Sequence, residues 1–455
     1  MVNKQKNNLI CVYIDHWEDY ESIGDKAMLL NAMRRLEIYL GPCTFVTPHS
    51  QKKARNFLYP NMVPVSPPQN ELLATASRLR SIYSRAARMF PSFFLANKLR
   101  STRFLNWAQK IVDLKLFLYS IGLRFVFNRS FQDSLEQIRK CDVLFTVGDC
   151  SLNDYWLEGV ILKTWLIKTV RPYIPICVLS SQGIGPLRTT WARRRLIKAL
   201  RKLDILSFRD YSYSKALVEA EGISGVPYKI VGDEAFSFPS CDPETTWNFL
   251  QGLGIEKGEP FIAVNFRNTD FTQSTTFLLE KIAGLLDQVI TTTHKSIVFV
   301  CMSKGNDYGR DHEAGLSLKS IMKQSDHFHV LAPLDDIELV KGIIGQAVYT
   351  IGISYHLHVF SLSQGHPTIA LYTGEYYKTK LDGLIAYYGK PSRSINFSET
   401  GIEQTLEYIS DLENQYTDAC ANIRDVNERI FEENDWTITM VKQLLIQNGR
   451  LPGNG

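Results

Sequence analysis

Short continuous apolar runs recur along the chain, separated by longer stretches in which apolar residues return every three or four positions. LICVYI, CTFVTP, CDVLFTV, PICVLSS, ILSF and KIV belong to the first kind in the amino-terminal half, and FIAVNF, SIVFVCM, HFHVLAP, VYTIGI and TIALY in the carboxy-terminal half. Runs of this sort, without polar alternation and rich in β-branched residues, predict strands covered on both faces. The intervening stretches, among them SIGDKAMLLNAMRRLEIYLG, TWARRRLIKALRKLD, residues 277–292 and 312–324, and DDIELVKGIIGQA, predict helices. Strand and helix in strict alternation predict parallel sheets with crossover helices. FPSCDPETT is a turn-rich seam that divides the pattern into two α/β halves.

The polar chemistry concentrates in residues 347–384, AVYTIGISYHLHVFSLSQGHPTIALYTGEYYKTKLDGL. A strand through VYTIGI leads into a short helix that starts near Tyr355, with Ser354 at its cap and Gly365 beyond its end; TIALY is the next strand. Ser354, His356 and His358 thus lie where a strand's carboxyl end meets a helix amino terminus. Doubly wound sheets bind ligands there, and the ligand such a place favours is an anion. Glu375, Lys378 and Lys380 follow in what reads as a polar loop. One histidine near a helix start is ordinarily structural; two within three residues, backed by this loop, point to a site.

Residues 50–130 interrupt the alternation. A proline-rich linker, Pro60 to Pro68, leads to a helical stretch in which, between Arg78 and Arg129, eleven Lys or Arg face one acid, Asp113, interleaved with Phe, Trp, Leu and Ile. Two readings stand: a basic amphipathic surface that lies on anionic membranes, or a helical insertion packed on the domain with its basic face solvated. The net charge of the whole chain is only +4, which gives no global nucleic-acid footprint. Eight scattered cysteines form no CxxC pair, so neither a zinc site nor a disulfide framework is expected. The first apolar run is ended by Asp15 and is too short for a signal segment, and no uncharged run approaches the length of about eighteen residues that spans a bilayer. A cytoplasmic protein is expected, with any membrane contact peripheral and at the inner face of the cell membrane.

Several turns after predicted strands carry further candidates. Gly24 and Asp25 follow the first strand: the glycine permits close backbone approach, and the aspartate either caps the helix or acts on a substrate hydroxyl. Asp149, Ser151, Asn153 and Asp154 crowd the turn after CDVLFTV, where they bind sugar hydroxyls, serve as a base or satisfy backbone N–H groups. Arg209 ends the ILSF strand, and Arg267 ends FIAVNF; both positions suit a bidentate grip on phosphate or carboxylate.

These motifs together resemble the polysaccharide pyruvyltransferase family. The resemblance rests on Gly24-Asp25-Lys26-Ala27; on Gly148, Asp149, Ser151, Asp154 and Tyr155; on Gln182, Gly185 and Pro186; on Arg209, Asp210 and Ser212; on Asp233 and Phe236; and on Ser354, Leu357, His358, Gly365, Pro367, Lys380, Gly383 and Leu384. It covers nearly the whole chain outside the basic insertion. Two departures stand out: His356 replaces an arginine usual in the family, and Cys150 with no second glycine loosens the turn after Asp149.

The resemblance implies two Rossmann-like halves in a glycosyltransferase-B-like arrangement. The expected division is 1–238, with the basic helical insertion at about 70–130; 239–425, carrying the donor site; and 426–455, a helix crossing back plus a tail. The implied reaction transfers a pyruvyl group from phosphoenolpyruvate to two hydroxyls of a sugar, on a polysaccharide or a lipid-linked glycan, with ketal formation and release of phosphate. No cofactor or metal is implied beyond the donor itself. In this scheme His358 is the candidate acid and Asp25 or Asp149 the base, while Arg209, Arg267, His356 and Lys380 face the anionic donor. Gly24, Ser151, Asp154 and Ser354 complete the expected substrate contacts, and Asp233 is expected only to shape a turn. Two other functions share these features: a nucleotide-sugar-dependent glycosyltransferase of the same fold, and a non-catalytic glycan-binding protein.

Overall fold

A computed structural model describes residues 9–16, 22–48, 59, 61–89, 101–211, 213–223, 225–266, 275–304 and 311–452. The predicted alternation is realised as two wholly parallel sheets. The first contains β1 (Ile10–Asp15), β2 (Cys43–Thr47), β3 (Met62–Pro64), β4 (Val143–Thr146), β5 (Ile176–Gln182), β6 (Ile205–Phe208) and β7 (Tyr228–Ile230), in the order β3-β2-β1-β4-β5-β6-β7. The second contains β8 (Phe261–Asn265), β9 (Ser296–Phe299), β10 (Phe328–Val330), β11 (Tyr349–Gly352), β12 (Thr368–Tyr372) and β13 (Arg393–Asn396), in the order β10-β9-β8-β11-β12-β13. In both sheets the strand order reverses beside the first strand, between β1 and β4 and between β8 and β11. The crevice at such a switch point is where doubly wound sheets take their ligands.

Each sheet buries both faces, as the continuous apolar strands require. Tyr13, Leu144, Cys177 and Leu206 line one face of the first sheet, and Ile262, Ile297, Ile351 and Ile369 line one face of the second. A single larger cluster joins the two halves, running from Val12 and Phe145 through Phe236 and Phe261 to Leu357, Phe360 and Ile438.

The carboxy-terminal helices Tyr416–Asn434 and Trp436–Gln447 return to the first half, the latter packing on β5, β6 and the helix Ile23–Leu40. Arg35 on Ile23–Leu40 fixes this return: it donates to the Asn434 carbonyl and pairs with Asp435 at 2.7 Å and with the buried Glu234 at 2.9 Å.

The basic insertion is helical. The helices Gln69–Met89 and Ser101–Ser120 pair in antiparallel fashion, with Lys115 bound to Glu71 at 2.7 Å near one end and Tyr83 against Phe104 near the other. Their inner face packs Leu72, Phe104, Leu105 and Val112 on Ile161, Leu162 and Trp165. Packing on the domain is therefore real for one face of the insertion.

The structure corrects some expected elements. Helix Ile23–Leu40 is capped by Ser22, whose hydroxyl accepts from the Asp25 N–H, so Asp25 sits inside the first turn and not at the cap. The polar loop after TIALY is the helix Glu375–Ile385, held by Leu381, Leu384 and Ile385 against the body and by a Lys378–Asp382 pair at 2.5 Å. The turn-rich seam runs into the helix Pro243–Gln251, capped by Asp242, with its proline at the position helices tolerate.

Candidate active site

The carboxyl ends of β1, β4 and β6 and the turn after β7 converge on one rim of the first sheet. After β4 the chain turns through Gly148, where a Cβ would lie 2.2 Å from the Ser181 carbonyl oxygen, so no larger residue fits without moving β5. Asp149 follows, and its carboxylate is fully engaged. It pairs with Lys163 at 2.5 Å, accepts from the Ser151 N–H and hydroxyl at 2.9 Å each, and accepts from the Gln182 amide at 2.5 Å. Burial pushes its pKa up, but the Lys163 charge and these hydrogen bonds outweigh burial and hold it well below the usual carboxylate range. A carboxylate so stabilised is a poor proton acceptor. Asp149 therefore serves as a buried brace, in contrast to the base expected of it, and the half-buried Ser151 is bonded to it. Asp154 likewise accepts from the Arg188 and Thr189 backbone N–H groups and secures the loop after β5, in place of the expected substrate contact.

Arg209 leaves β6 almost wholly buried and pairs with Asp233 at 2.7 Å. Asp233 also accepts from the Ala235 N–H at 2.9 Å, so it both shapes its turn and holds the arginine. Across the cleft, the second half contributes the start of the helix Tyr355–Ser363. The Tyr355 ring lies under the Arg209 guanidinium at 4.3 Å, and the Lys380 ammonium stands 5.2 Å from the same ring and 5.3 Å from that of Tyr376. The Tyr376 hydroxyl meets the Cys150 thiol at 3.0 Å. Two cations, Arg209 and Lys380, are thus drawn to one aromatic ring between the halves.

His356 lies in this cleft with 12% of its side chain exposed. Its ring packs flat on Gly24, where a Cβ would fall 2.0 Å from the imidazole. Its Nε2 stands 4.0 Å from an Asp233 oxygen and makes no hydrogen bond among the described residues. Burial lowers its pKa to about 4, opposed by the charges of Asp233 and Asp25 and reinforced by those of Arg209 and Lys380. Ser354 occupies the cap position of the same helix without a capping side-chain hydrogen bond.

His358 is placed elsewhere. It is fully buried behind the helix, its Nε2 donating to the Gly352 carbonyl at 3.0 Å and its Nδ1 accepting from the Thr368 hydroxyl at 2.5 Å. Burial pushes its pKa down to about 4. Both nitrogens are used in joining helix to sheet, so His358 is a structural histidine and the expected acid role finds no geometric basis. Arg267 lies outside the described residues, as does Ser212.

Buried residues behind the cleft that sequence reasoning passed over also bear on it. His16 directly follows β1, is 3% exposed, and has an Nδ1 without a hydrogen bond among the described residues. Burial lowers its pKa against the charges of Asp25 and Asp149. Its signal was its place one residue beyond a strand's carboxyl end. Lys163 was signalled by being the one cation near the middle of LEGVILKTWLIKTV, since a lysine in an apolar helix is seldom buried without a partner. Asp25 completes the rim, close enough to influence both histidines.

These features meet a wider comparison. The sequence matches the family model for polysaccharide pyruvyl transferase over residues 5–375. The chain belongs to the polysaccharide pyruvyl transferase family. Membership makes it a transferase acting on polysaccharides. No curated protein matches it by sequence.

Solved structures match its whole length at low identity. S. aureus MnaA in complex with UDP has a TM-score of 0.56 and 10% identity, covering 98% of this chain and 99% of that one. A UDP-N-acetylglucosamine 2-epimerase has a TM-score of 0.53 and 11% identity, covering 98% of each chain. Anabaena Alr3699/HepE in complex with UDP has a TM-score of 0.52 and 9% identity, covering 97% of this chain and 99% of that one. The likeness establishes the fold of the family member described here as two Rossmann-like halves in a glycosyltransferase-B-like arrangement. Among its described residues no three His, Cys, Asp or Glu are grouped to hold a metal ion.

Proposed function

We propose that this family member transfers a pyruvyl group from phosphoenolpyruvate to two hydroxyls of one sugar, on a polysaccharide or a lipid-linked glycan. The observation that carries the reading is the meeting of Arg209, Lys380 and a His356 Nε2 that makes no hydrogen bond among the described residues, at the start of the helix Tyr355–Ser363, which Ser354 does not cap with its side chain. Phosphoenolpyruvate brings about three negative charges near neutral pH, and a pair of fixed cations beside a helix amino terminus suits such a donor. A nucleotide sugar's diphosphate meets the same cations; the family membership favours the pyruvyl donor.

In the proposed reaction His356, protonated as the anion binds, gives its proton to the donor's methylene carbon, and C2 becomes electrophilic. One sugar hydroxyl adds to C2 and loses its proton to Asp25. Phosphate leaves as the C–O bond to it breaks, and the second hydroxyl closes the ketal; its proton goes to the departing phosphate or back to His356. The donor's methylene ends as a methyl group, and the balance is one ketal and one phosphate per donor. His16, beside Asp25, holds the acceptor hydroxyls in position.

A donor screen by thermal denaturation tests this. Phosphoenolpyruvate at a hundred times its dissociation constant adds about 2.7 kcal/mol of stability. The expected result is stabilisation by phosphoenolpyruvate that is lost in Lys380→Met. Stabilisation by uridine diphosphate with none by phosphoenolpyruvate would favour the nucleotide-sugar reaction instead.

A further inference from the structure

The inner face of the helical insertion is accounted for by its packing on Trp165 and its neighbours, but its outer face is not. Along the helix Ser101–Ser120, Trp107, Ile111, Leu114 and Phe117 recur at spacings of three and four, the period that places them on one stripe. Ile121 and Phe125 continue the stripe just past the helix end. All are exposed: Phe125 by 82%, Phe117 and Ile121 by 61%, Leu114 by 58% and Trp107 by 46%. Single exposed apolar residues are ordinary; six in one line are not.

The exposed charges on the stripe's own segment, from Arg103 to Phe125, have one sign. Arg103, Lys110 and Arg124 are exposed between and beside the apolar residues, and no ion pair engages them among the described residues. The one acid between Arg78 and Arg129, Asp113, is engaged by Lys168 at 2.6 Å and by the Trp165 indole at 3.3 Å. A second copy of this face would bring cation against cation. A bilayer with anionic headgroups matches both features, because it takes the apolar side chains at the acyl boundary and the cations at the headgroups.

We infer that the helix Ser101–Ser120 and the turn after it form a peripheral docking surface for an anionic lipid bilayer, with Trp107, Leu114, Phe117 and Phe125 entering the interface and Arg103, Lys110 and Arg124 pairing with lipid phosphates. Among the described residues no helix is long and apolar enough to cross a membrane, so the contact lies on the surface of the bilayer. This surface stands independently of the reaction proposed above.

Co-sedimentation of the full chain with phosphatidylcholine vesicles, with and without phosphatidylglycerol, tests it. The protein is expected to sediment with the anionic vesicles and to be released as salt rises to about 0.5 M, where the screening length falls to roughly 4 Å. Each basic residue is worth about fivefold in affinity, so Arg103→Gln/Lys110→Gln/Arg124→Gln weakens binding at least tenfold and flattens the salt dependence. Phe117→Ser/Phe125→Ser weakens it at least tenfold at every salt concentration. Both variants keep the wild-type melting temperature, because the altered side chains are largely exposed. Failure of the wild type to bind, or undiminished binding by the phenylalanine variant, overturns the inference. So does a wild-type dimer that becomes monomeric in that variant, since a second copy is then the occupant.

Discussion

His356 and His358 share one helix and one neighbour in sequence, yet their surroundings divide their work. His358 faces the sheet and satisfies both ring nitrogens there, whereas His356 faces the cleft with an Nε2 that makes no hydrogen bond among the described residues. Because His358 has a folded-state pKa of about 4 against an unfolded value near 6.5, its neutral form stabilises the fold fully above that range, and the contribution is lost as pH falls from about 6.5 to 4. The loss is worth roughly 3 kcal/mol. Urea unfolding at a series of pH values should therefore show wild type losing that much more than His358→Gln across the window. Asp15, raised by burial to about 6, acts in the opposite sense and cancels in the comparison.

For His356 the linkage appears in binding. Phosphoenolpyruvate should draw a proton onto the ring, so affinity falls by up to tenfold for each pH unit above about 4, until the pKa of the complex is reached. Calorimetry in buffers of different ionisation enthalpy should record proton uptake that His356→Gln abolishes. Gly24→Ala tests the same ring by displacement: a Cβ 2.0 Å from the imidazole forces it out of place, and turnover should drop by about a hundredfold, the usual worth of a positioned acid.

At the scale of elements, the site depends on strands and helices that differ in how plainly the sequence announces them. VYTIGI and TIALY could be read directly, because a strand covered on both faces is uniformly apolar, and the observed β11 and β12 lie within or match those runs. The helix Leu157–Val170 could not be, since it is wedged between the sheet and the insertion, is apolar nearly all round, and has no amphipathic period to detect. β3 and β13 are short edge strands with little apolar signal of their own. The two histidines and Arg209 were visible as residues at element ends, but which ring faced the cleft depended on packing across β12, which a linear pattern does not contain.

The hidden helix carries its own prediction. Lys163 neutralises a buried Asp149, so Lys163→Met leaves an unpaired buried carboxylate and should cost about 3 to 5 kcal/mol. Lys163→Met with Asp149→Asn should recover much of that loss, as measured by denaturant midpoint.

Across the whole molecule the halves are tied at several levels. They share the core around Phe236, Phe261 and Phe360, and Arg188 pairs with Glu375 across the cleft. The Arg35, Glu234 and Asp435 network locks the returning carboxy-terminal helices to the first half. Such ties hold Arg209, Asp25 and His16 of one half opposite His356 and Lys380 of the other, which is the arrangement the proposed reaction needs. Since countercharge for the donor comes from arginine, lysine and a helix start, phosphate release should persist in excess chelator. The most direct measurement of the central claim is a turnover assay of the purified full chain with phosphoenolpyruvate and a panel of oligosaccharide acceptors, scoring phosphate release and product mass together. The account predicts one phosphate released for each acceptor that gains one pyruvyl ketal, with both signals lost in Lys380→Met; sugar transfer from a nucleotide donor, with no pyruvylated product, would contradict it.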